Sequence, residues 1–323
     1  MTLRELRYLV ALADHQHFGR AAEACHVTQP TLSAQLRKLE DYLGQTLVDR
    51  EPRVPTLTPV GAQIVERARR LLAEADDILR LTRSRGGPLQ GALNLGLIPT
   101  LAPYYLPSAL QALKLAYPKL QLIVQEDLTA TLLGRLRDSL LDAALLALPA
   151  PLDHEACVVV PLFDEPFWLA CPADHPLATE ATVPAAALAG LKLLLLTEGH
   201  CLRGQALAVC RIGEAAGDEA ADCRATSLET LRQLVAAGLG CTLLPALAVS
   251  GPQPAALVVR ALAGGESRRI GLVWRRGHTR HEELLLLARV LQQALPDGVR
   301  AVVADQVAQG RQPLPPPAAT PQR

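Results

Sequence analysis

Apolar residues recur at helical spacing through the N-terminal part of the chain. Leu3, Leu6, Val10 and Ala13 form one stripe, and Thr2 with Glu5 has the spacing at which each side chain satisfies the other's backbone N–H. A second short helix is predicted through Phe18-Gly19-Arg20-Ala21-Ala22-Glu23-Ala24-Cys25, and a third from about Thr28, with Pro30 tolerated in its first turn. In that third helix Leu32, Leu36, Leu39 and Leu43 make the buried stripe, so Thr31, Arg37 and Lys38 project away from it. The small pair Ala21-Ala22 and the tight turn at Cys25-His26-Val27 let two successive helices approach as a helix-turn-helix. A three-helix packing module without a nucleic-acid partner would carry the same pattern.

Pro52 and Pro55 interrupt the helical pattern over residues 45–57, which suits a wing-like loop or a short hairpin. Thr58-Pro59 then reads as an N-cap followed by a first-turn proline. Ile64, Ala68, Leu71, Ala75, Ile78 and Thr82 alternate by four and three residues, a heptad seam that predicts a dimerising helix. The plainer alternative is an amphipathic helix packed on its own domain. Gly86-Gly87-Pro88 ends the helix at a hinge. Beyond it, strand patterns at 92–97, 120–125, 143–148, 166–171, 192–196, 241–244, 258–261 and 269–274 alternate with helical ones at 105–116, 129–139, 227–237 and 281–295. Alternation of this kind predicts α/β subdomains with mostly parallel sheets. The proline-rich run 312–323 is expected to be disordered.

Charge adds little to this picture. The 323-residue chain has 32 basic and 32 acidic residues, so no global field announces a nucleic-acid partner. Residues 1–91 hold 13 Lys and Arg against 11 Asp and Glu, and the remainder 19 against 21, so any DNA contact rests on where the charges sit. No apolar run reaches about 18 residues, and the charged N-terminus lacks a signal-peptide segment, so a cytoplasmic protein without membrane attachment is expected. The seven cysteines lack the spacing of a zinc site, and no metal or other cofactor is expected. Cys25, Cys171 and Cys241 fall in apolar stretches and read as buried, inert thiols. Cys157 and Cys223 are ambiguous. Cys201 and Cys210 lie nine positions apart, and that spacing alone fits either buried residues or a reactive couple.

The run Phe18-Gly19-Arg20-Ala21-Ala22, followed by Thr28-Gln29-Pro30-Thr31-Leu32-Ser33 and Gln35-Leu36-Arg37-Lys38-Leu39-Glu40, resembles the LysR-type transcriptional regulators. Thr58-Pro59-Val60-Gly61 belongs to the same pattern. In the second half, Gly96-Leu97-Ile98-Pro99-Thr100, Leu162-Phe163-Asp164-Glu165-Pro166, Gly199-His200-Cys201-Leu202-Arg203 and the segments around Ser227 and Pro245 are similar to the hydrogen-peroxide sensors of that family. The resemblance covers about residues 1–296.

It implies a winged helix-turn-helix domain over 1–58, a linker and dimerisation helix over 59–87, and a regulatory domain over 88–300. The regulatory domain is expected to hold two periplasmic-binding-protein-like α/β subdomains, about 88–161 with 268–300, and about 162–267, followed by a disordered tail over 301–323. The implied partners are double-stranded promoter DNA, a second copy of the chain in a homodimer or homotetramer, RNA polymerase, and a thiol reductant that resets the protein.

For DNA the resemblance points to Thr28, Gln29, Pro30, Thr31, Ser33, Gln35 and Arg37. The chemistry fits, since Gln pairs with adenine, Arg with guanine, and a Thr methyl meets thymine. Arg4, Arg50 and Arg53 are candidate phosphate clamps. For peroxide it points to Cys201 as the attacking thiol and Cys210 as the resolving one, with Thr100, Thr129, Gly199, His200 and Arg203 around them. His200 and Arg203 would supply a positive or hydrogen-bond-donating neighbourhood that favours a thiolate. Nine residues of helix span about 13.5 Å at ~1.5 Å per residue. A disulfide needs Cα atoms within about 7 Å. Oxidation of an ordered segment therefore demands refolding. Gly204 stands where the peroxide sensors commonly carry an acidic residue. Two other readings remain: a regulator of the same family that binds a metabolite between its subdomains, through Thr100, Ser227 and Thr230, and a solute-binding protein or thiol enzyme. The chain is read as a non-enzyme, consuming peroxide stoichiometrically.

Overall fold

A computed structural model describes residues 1–50, 54–83, 87–210, 224–251 and 253–302, without the side chains of 76, 77, 79–83 and 224. Arg53, Cys223, the Thr82 side chain and the proline-rich tail lie outside this set. The chain divides into two compact units, one of Met1–Gly87 with Arg135–Leu140 and one of Pro88–Gly134 with the chain from Leu141 onward.

The first unit is helical. α1 (Leu3–His15) opens on the capping box: Thr2 Oγ1 accepts from the Glu5 N–H and the Glu5 carboxylate from the Thr2 N–H, at 2.7 Å. α2 (Phe18–Ala24) and α3 (Gln29–Leu43) follow, and Leu9, Ala21, Leu32, Leu36 and Leu39 meet in a core that excludes water. The strands β1 (Val48–Asp49) and β2 (Thr56–Leu57) pair antiparallel as the predicted wing. α4 (Pro59–Arg83) starts at Thr58, whose hydroxyl accepts from the Gly61 N–H at 3.0 Å and donates to the Thr46 carbonyl at 2.8 Å. Gly61 is required there, because a Cβ would lie 2.1 Å from the Leu47 carbonyl oxygen.

The heptad seam read from sequence is only partly free. Ala68 is buried and Ile64 packs on the helix-turn-helix core, beside Val65 and Leu72, so the first turns of α4 belong to their own domain. Leu71 and Ile78 remain 50% and 64% exposed. The plainer reading, a helix packed on its own domain, holds for these first turns.

The second unit centres on a nine-stranded sheet. β3 (Gly91–Leu97) pairs parallel with β4 (Leu120–Glu126) and with β5 (Ala143–Leu148), joined by α5 (Ala102–Ala116) and α6 (Thr129–Arg137). β6 (Cys157–Pro172) is the longest strand. Its first part pairs with β12 (Ser267–Arg275) and the short β13 (Arg300–Ala301). Its last six residues pair with β10 (Thr242–Pro245) and β11 (Leu257–Leu262) instead, and β11 carries β7 (Thr182–Val183). β8 (Leu195–Leu196) and β9 (Arg224–Ala225) form a small parallel pair. α7 (Cys201–Cys210), α8 (Leu228–Ala236) and the short α9 (Ala246–Val249) belong to the second group of strands, and α10 (His281–Gln293) packs on α5, where Tyr105 donates to the Leu291 carbonyl at 2.6 Å.

The expectation of mostly parallel sheets is corrected to a mixed sheet, because β6 and β12 run antiparallel to their neighbours and carry the chain from one group of strands to the other. No helix among the described residues is long and apolar enough to cross a membrane.

Candidate functional site: a nucleic-acid face and a cysteine helix

α3 has the form of a reading helix. Thr28 caps it, its Oγ1 lying 2.8 Å from the Thr31 hydroxyl, and burial of Leu32, Leu36 and Leu39 turns the opposite face outward. Thr28, Gln29, Pro30, Thr31 and Arg37 are exposed there, and Ser33 and Gln35 are half-buried beside them. Glu40 links this helix to the wing: its Oε1 accepts from the Leu47 and Val48 N–H groups at 2.9 and 3.1 Å, and its Oε2 from Arg50 at 2.6 Å. That ion pair corrects the reading of Arg50 as a free phosphate clamp. Arg4 is exposed.

The second site is built around α7. Cys201 opens this helix and Cys210 closes it, both as free thiols. Ten helical residues keep their Cα atoms about 13.5 Å apart at ~1.5 Å per residue. Cys201 is half-buried and lines a small, tight pocket with Ile98, Pro99, Thr100, Leu128, Thr129, Gly199 and His200. Gly199 takes φ 89°, and a Cβ on it would meet Leu128 at 2.8 Å, so this turn into α7 is held open by glycine. Being the first residue of the helix, Cys201 also places any anion formed on its sulfur at the positive end of the helix dipole.

Partial burial lowers the pKa of His200, so its imidazole is neutral near pH 7. Of the two roles expected for His200, a neutral ring leaves the hydrogen-bond-donating one. Cys210 is buried among apolar side chains, and burial pushes its thiol up to about 11.

The Thr100 hydroxyl is fixed by a buried ion pair that the sequence did not reveal. Arg268 on β12 donates to Thr100 Oγ1 at 2.8 Å and to the Thr100 carbonyl at 3.0 Å. Its Nε donates to Glu165 Oε2 at 2.8 Å, both side chains being fully buried, and Glu165 Oε1 accepts from the Leu247 N–H at 2.9 Å. A guanidinium only donates, so the Thr100 oxygen must accept and its own proton remains for the pocket. Thr129 Oγ1 is buried without a protein partner. Two hydroxyls, an imidazole and a thiol thus line one pocket.

Arg203, predicted at this pocket, sits two residues past Cys201 in the first turn of α7 and is not among the residues that line the pocket. Ser227 and Thr230 are not there either. Ser227 caps α8, and the two hydroxyls lie 3.0 Å from each other at its exposed N-terminus. Cys171 and Cys241 are buried as expected, whereas Cys25 and Cys157 are only half-buried.

Comparison with known proteins finds matches over both parts of the chain. Residues 3–62 match the bacterial regulatory helix-turn-helix model of the lysR family, and residues 86–296 match the LysR substrate binding domain. The DNA-binding transcriptional dual regulator OxyR of Escherichia coli K12 is 47% identical over 289 residues, covering 88% of this chain and 93% of its own. Full-length OxyR of Pseudomonas aeruginosa, solved with a cysteine-to-aspartate substitution, superposes with a TM-score of 0.74 at 39% identity, over 90% of this chain and 98% of that one. A cysteine-to-serine mutant of Corynebacterium glutamicum OxyR with hydrogen peroxide bound gives 0.63 at 38%, over 91% and 92%. The chain belongs to the LysR family of bacterial helix-turn-helix regulators, in its OxyR group.

Proposed function

We propose that this protein is a transcriptional regulator that senses hydrogen peroxide through Cys201 and signals it by a Cys201–Cys210 disulfide. The observation that carries the proposal is the position of the two cysteines, at opposite ends of one helix whose first residue faces a hydroxyl-lined pocket. Thr100 and Thr129 bind the peroxide oxygens, and Gly199 and His200 shape the pocket mouth. The Cys201 sulfur attacks one oxygen, the O–O bond breaks, and the departing hydroxide takes up a proton as water. The resulting sulfenic acid is attacked by the Cys210 sulfur, its S–O bond breaks, and a second water leaves. The two sulfurs cannot meet while α7 is wound, so the reaction unwinds it and pulls Leu202, Ala206, Leu207 and Cys210 from their core.

The output is a change in how a dimer sits on promoter DNA. Gln29, Pro30, Thr31, Gln35 and Arg37 read base edges in the major groove, while Thr28 and Ser33 hold phosphates. The exposed Leu71 and Ile78 on α4 support pairing of two copies, and two such dimers make the tetramer. RNA polymerase is the partner that reads the changed complex, a thiol reductant resets the disulfide, and the compartment is the cytoplasm. DNase footprinting with and without peroxide tests the reading. The footprint should change in the wild type and stay fixed in Cys201→Ser. An identical peroxide-induced change in that variant would refute the assignment.

A further inference from the structure

Two further thiols face each other inside the second group of strands. β10 pairs antiparallel with the end of β6 in a register that sets Thr242 against Ala170 and Leu243 against Leu169. One step further along the same register, Cys241 stands opposite Cys171. Directly opposed residues point to the same face of a sheet. Here that face is apolar, because Leu169, Cys171, Cys241 and Leu243 all belong to one buried cluster.

The backbone decides what kind of pair this is. The Cys241 N–H donates to the Lys192 carbonyl at 2.9 Å, and its carbonyl accepts from the Leu194 N–H at 2.7 Å. Both groups therefore point away from β6, which makes Cys171 and Cys241 a non-hydrogen-bonded pair. Such pairs bring Cα atoms to about 4.5 Å with the side chains close. A disulfide accepts Cα separations of about 4.4–6.8 Å. The two sulfurs are near enough that ionising one raises the pKa of the other.

The geometry points to Cys171 and Cys241 as a second dithiol, closed by peroxide into a cross-strand disulfide without any refolding of the backbone. One thiol attacks peroxide and becomes a sulfenic acid with loss of water; the other attacks that sulfur, breaks its S–O bond and releases a second water. Two thiols and one peroxide give one disulfide and two waters. The pair inverts the logic of the first. Cys201 is half-buried and meets its oxidant easily but needs α7 to unwind, whereas Cys171 and Cys241 are already aligned but are 0% and 2% exposed. Their oxidation waits on local opening and comes after that of Cys201. Once formed, the bond closes a ring of chain from 171 to 241 that contains all of α7.

The test uses full-length protein carrying Cys201→Ser and Cys210→Ser, so it does not depend on the first pair. The protein is held in excess peroxide, alkylated in denaturant and mapped by mass spectrometry without reduction. A peptide cross-linking Cys171 to Cys241 should accumulate slowly and disappear with dithiothreitol. Recovery of both cysteines as alkylated thiols would overturn the proposal, as would sulfinic or sulfonic acid or a bond from either cysteine to Cys157 or Cys223. In the wild type, Cys201–Cys210 should close at lower peroxide than the second pair, and the reverse order would equally count against it. Cys171→Ala should abolish the cross-link while leaving the rate of Cys201 oxidation unchanged.

Discussion

α3 and α7 are two helices with opposite construction. α3 runs for fifteen residues, is capped by Thr28, carries Pro30 in its first turn and ends on Gly44 at φ 63°. Three leucines spaced along it are at most 1% exposed. α7 has ten residues and a glycine near its middle, and a Cβ at Gly204 would meet only open space. Isolated helices shorter than about 12–15 residues are marginal in water, so α7 exists by virtue of the core it packs on. A helix that reads DNA must keep its side chains in one register. A helix that joins its own two ends must be able to come apart. The difference lies in capping and length more than in hydrophobicity, since both bury an apolar face.

Breaking the rigid side of this comparison should have the largest effect. Leu36→Ala removes a fully buried side chain from the helix-turn-helix core and should cost about 2–5 kcal/mol. Thermal denaturation should show the loss, and DNA affinity should fall with it, while Cys201 of the variant still oxidises at the wild-type rate. Breaking the labile side comes next. Gly204→Pro costs a helix about 2 kcal/mol beyond the glycine it replaces, so α7 should be weakened before any oxidant arrives. Quenched-flow alkylation should then find the Cys201–Cys210 bond forming faster than in the wild type.

Titration loosens the same helix by a different route. The Cys210 thiol stays protonated in the folded protein up to about 11, against 9.0 when exposed. Below pH 9 neither state ionises and the stabilisation from burying a neutral thiol is complete. Between pH 9 and about 11 only the unfolded segment loses its proton, so stability falls as pH rises. Melting temperatures over this window should decline less steeply in Cys210→Ala. The decline should not vanish, because Cys241 is shifted in the same direction.

The two regions were also unequally legible in the sequence. α3 was read with its cap, its proline and its stripe because each signal is local, and β5 was read residue for residue because six consecutive apolar residues between Asp142 and Pro149 leave little choice. The first half of β6 was missed. Pro161, Asp164 and Glu165 look like loop residues until β12 arrives about 105 positions later to pair with them, and only then does burying Glu165 against Arg268 make sense. The same distance hid the anchor of Thr100. The pocket residues Thr100, Thr129 and His200 were legible through resemblance alone, and Arg203 was carried along with them because sequence proximity to Cys201 says nothing about which way a helix turns its side chains.

Gly204→Ala is the mildest perturbation and the most discriminating. Alanine has no clash to relieve at this position and gains about 1 kcal/mol over glycine in a helix interior. If α7 must unwind before Cys210 reaches Cys201, that gain stabilises the reduced form alone and slows disulfide closure by about fivefold. The first step, attack of Cys201 on peroxide, takes place at the pocket with α7 still wound and should keep its rate. The variant should therefore accumulate the Cys201 sulfenic acid, which a dimedone probe traps and mass spectrometry counts. A variant that closes its disulfide as fast as the wild type would mean that residues around Gly204 stay helical through the reaction, and that the unwinding is confined to the Cys210 end.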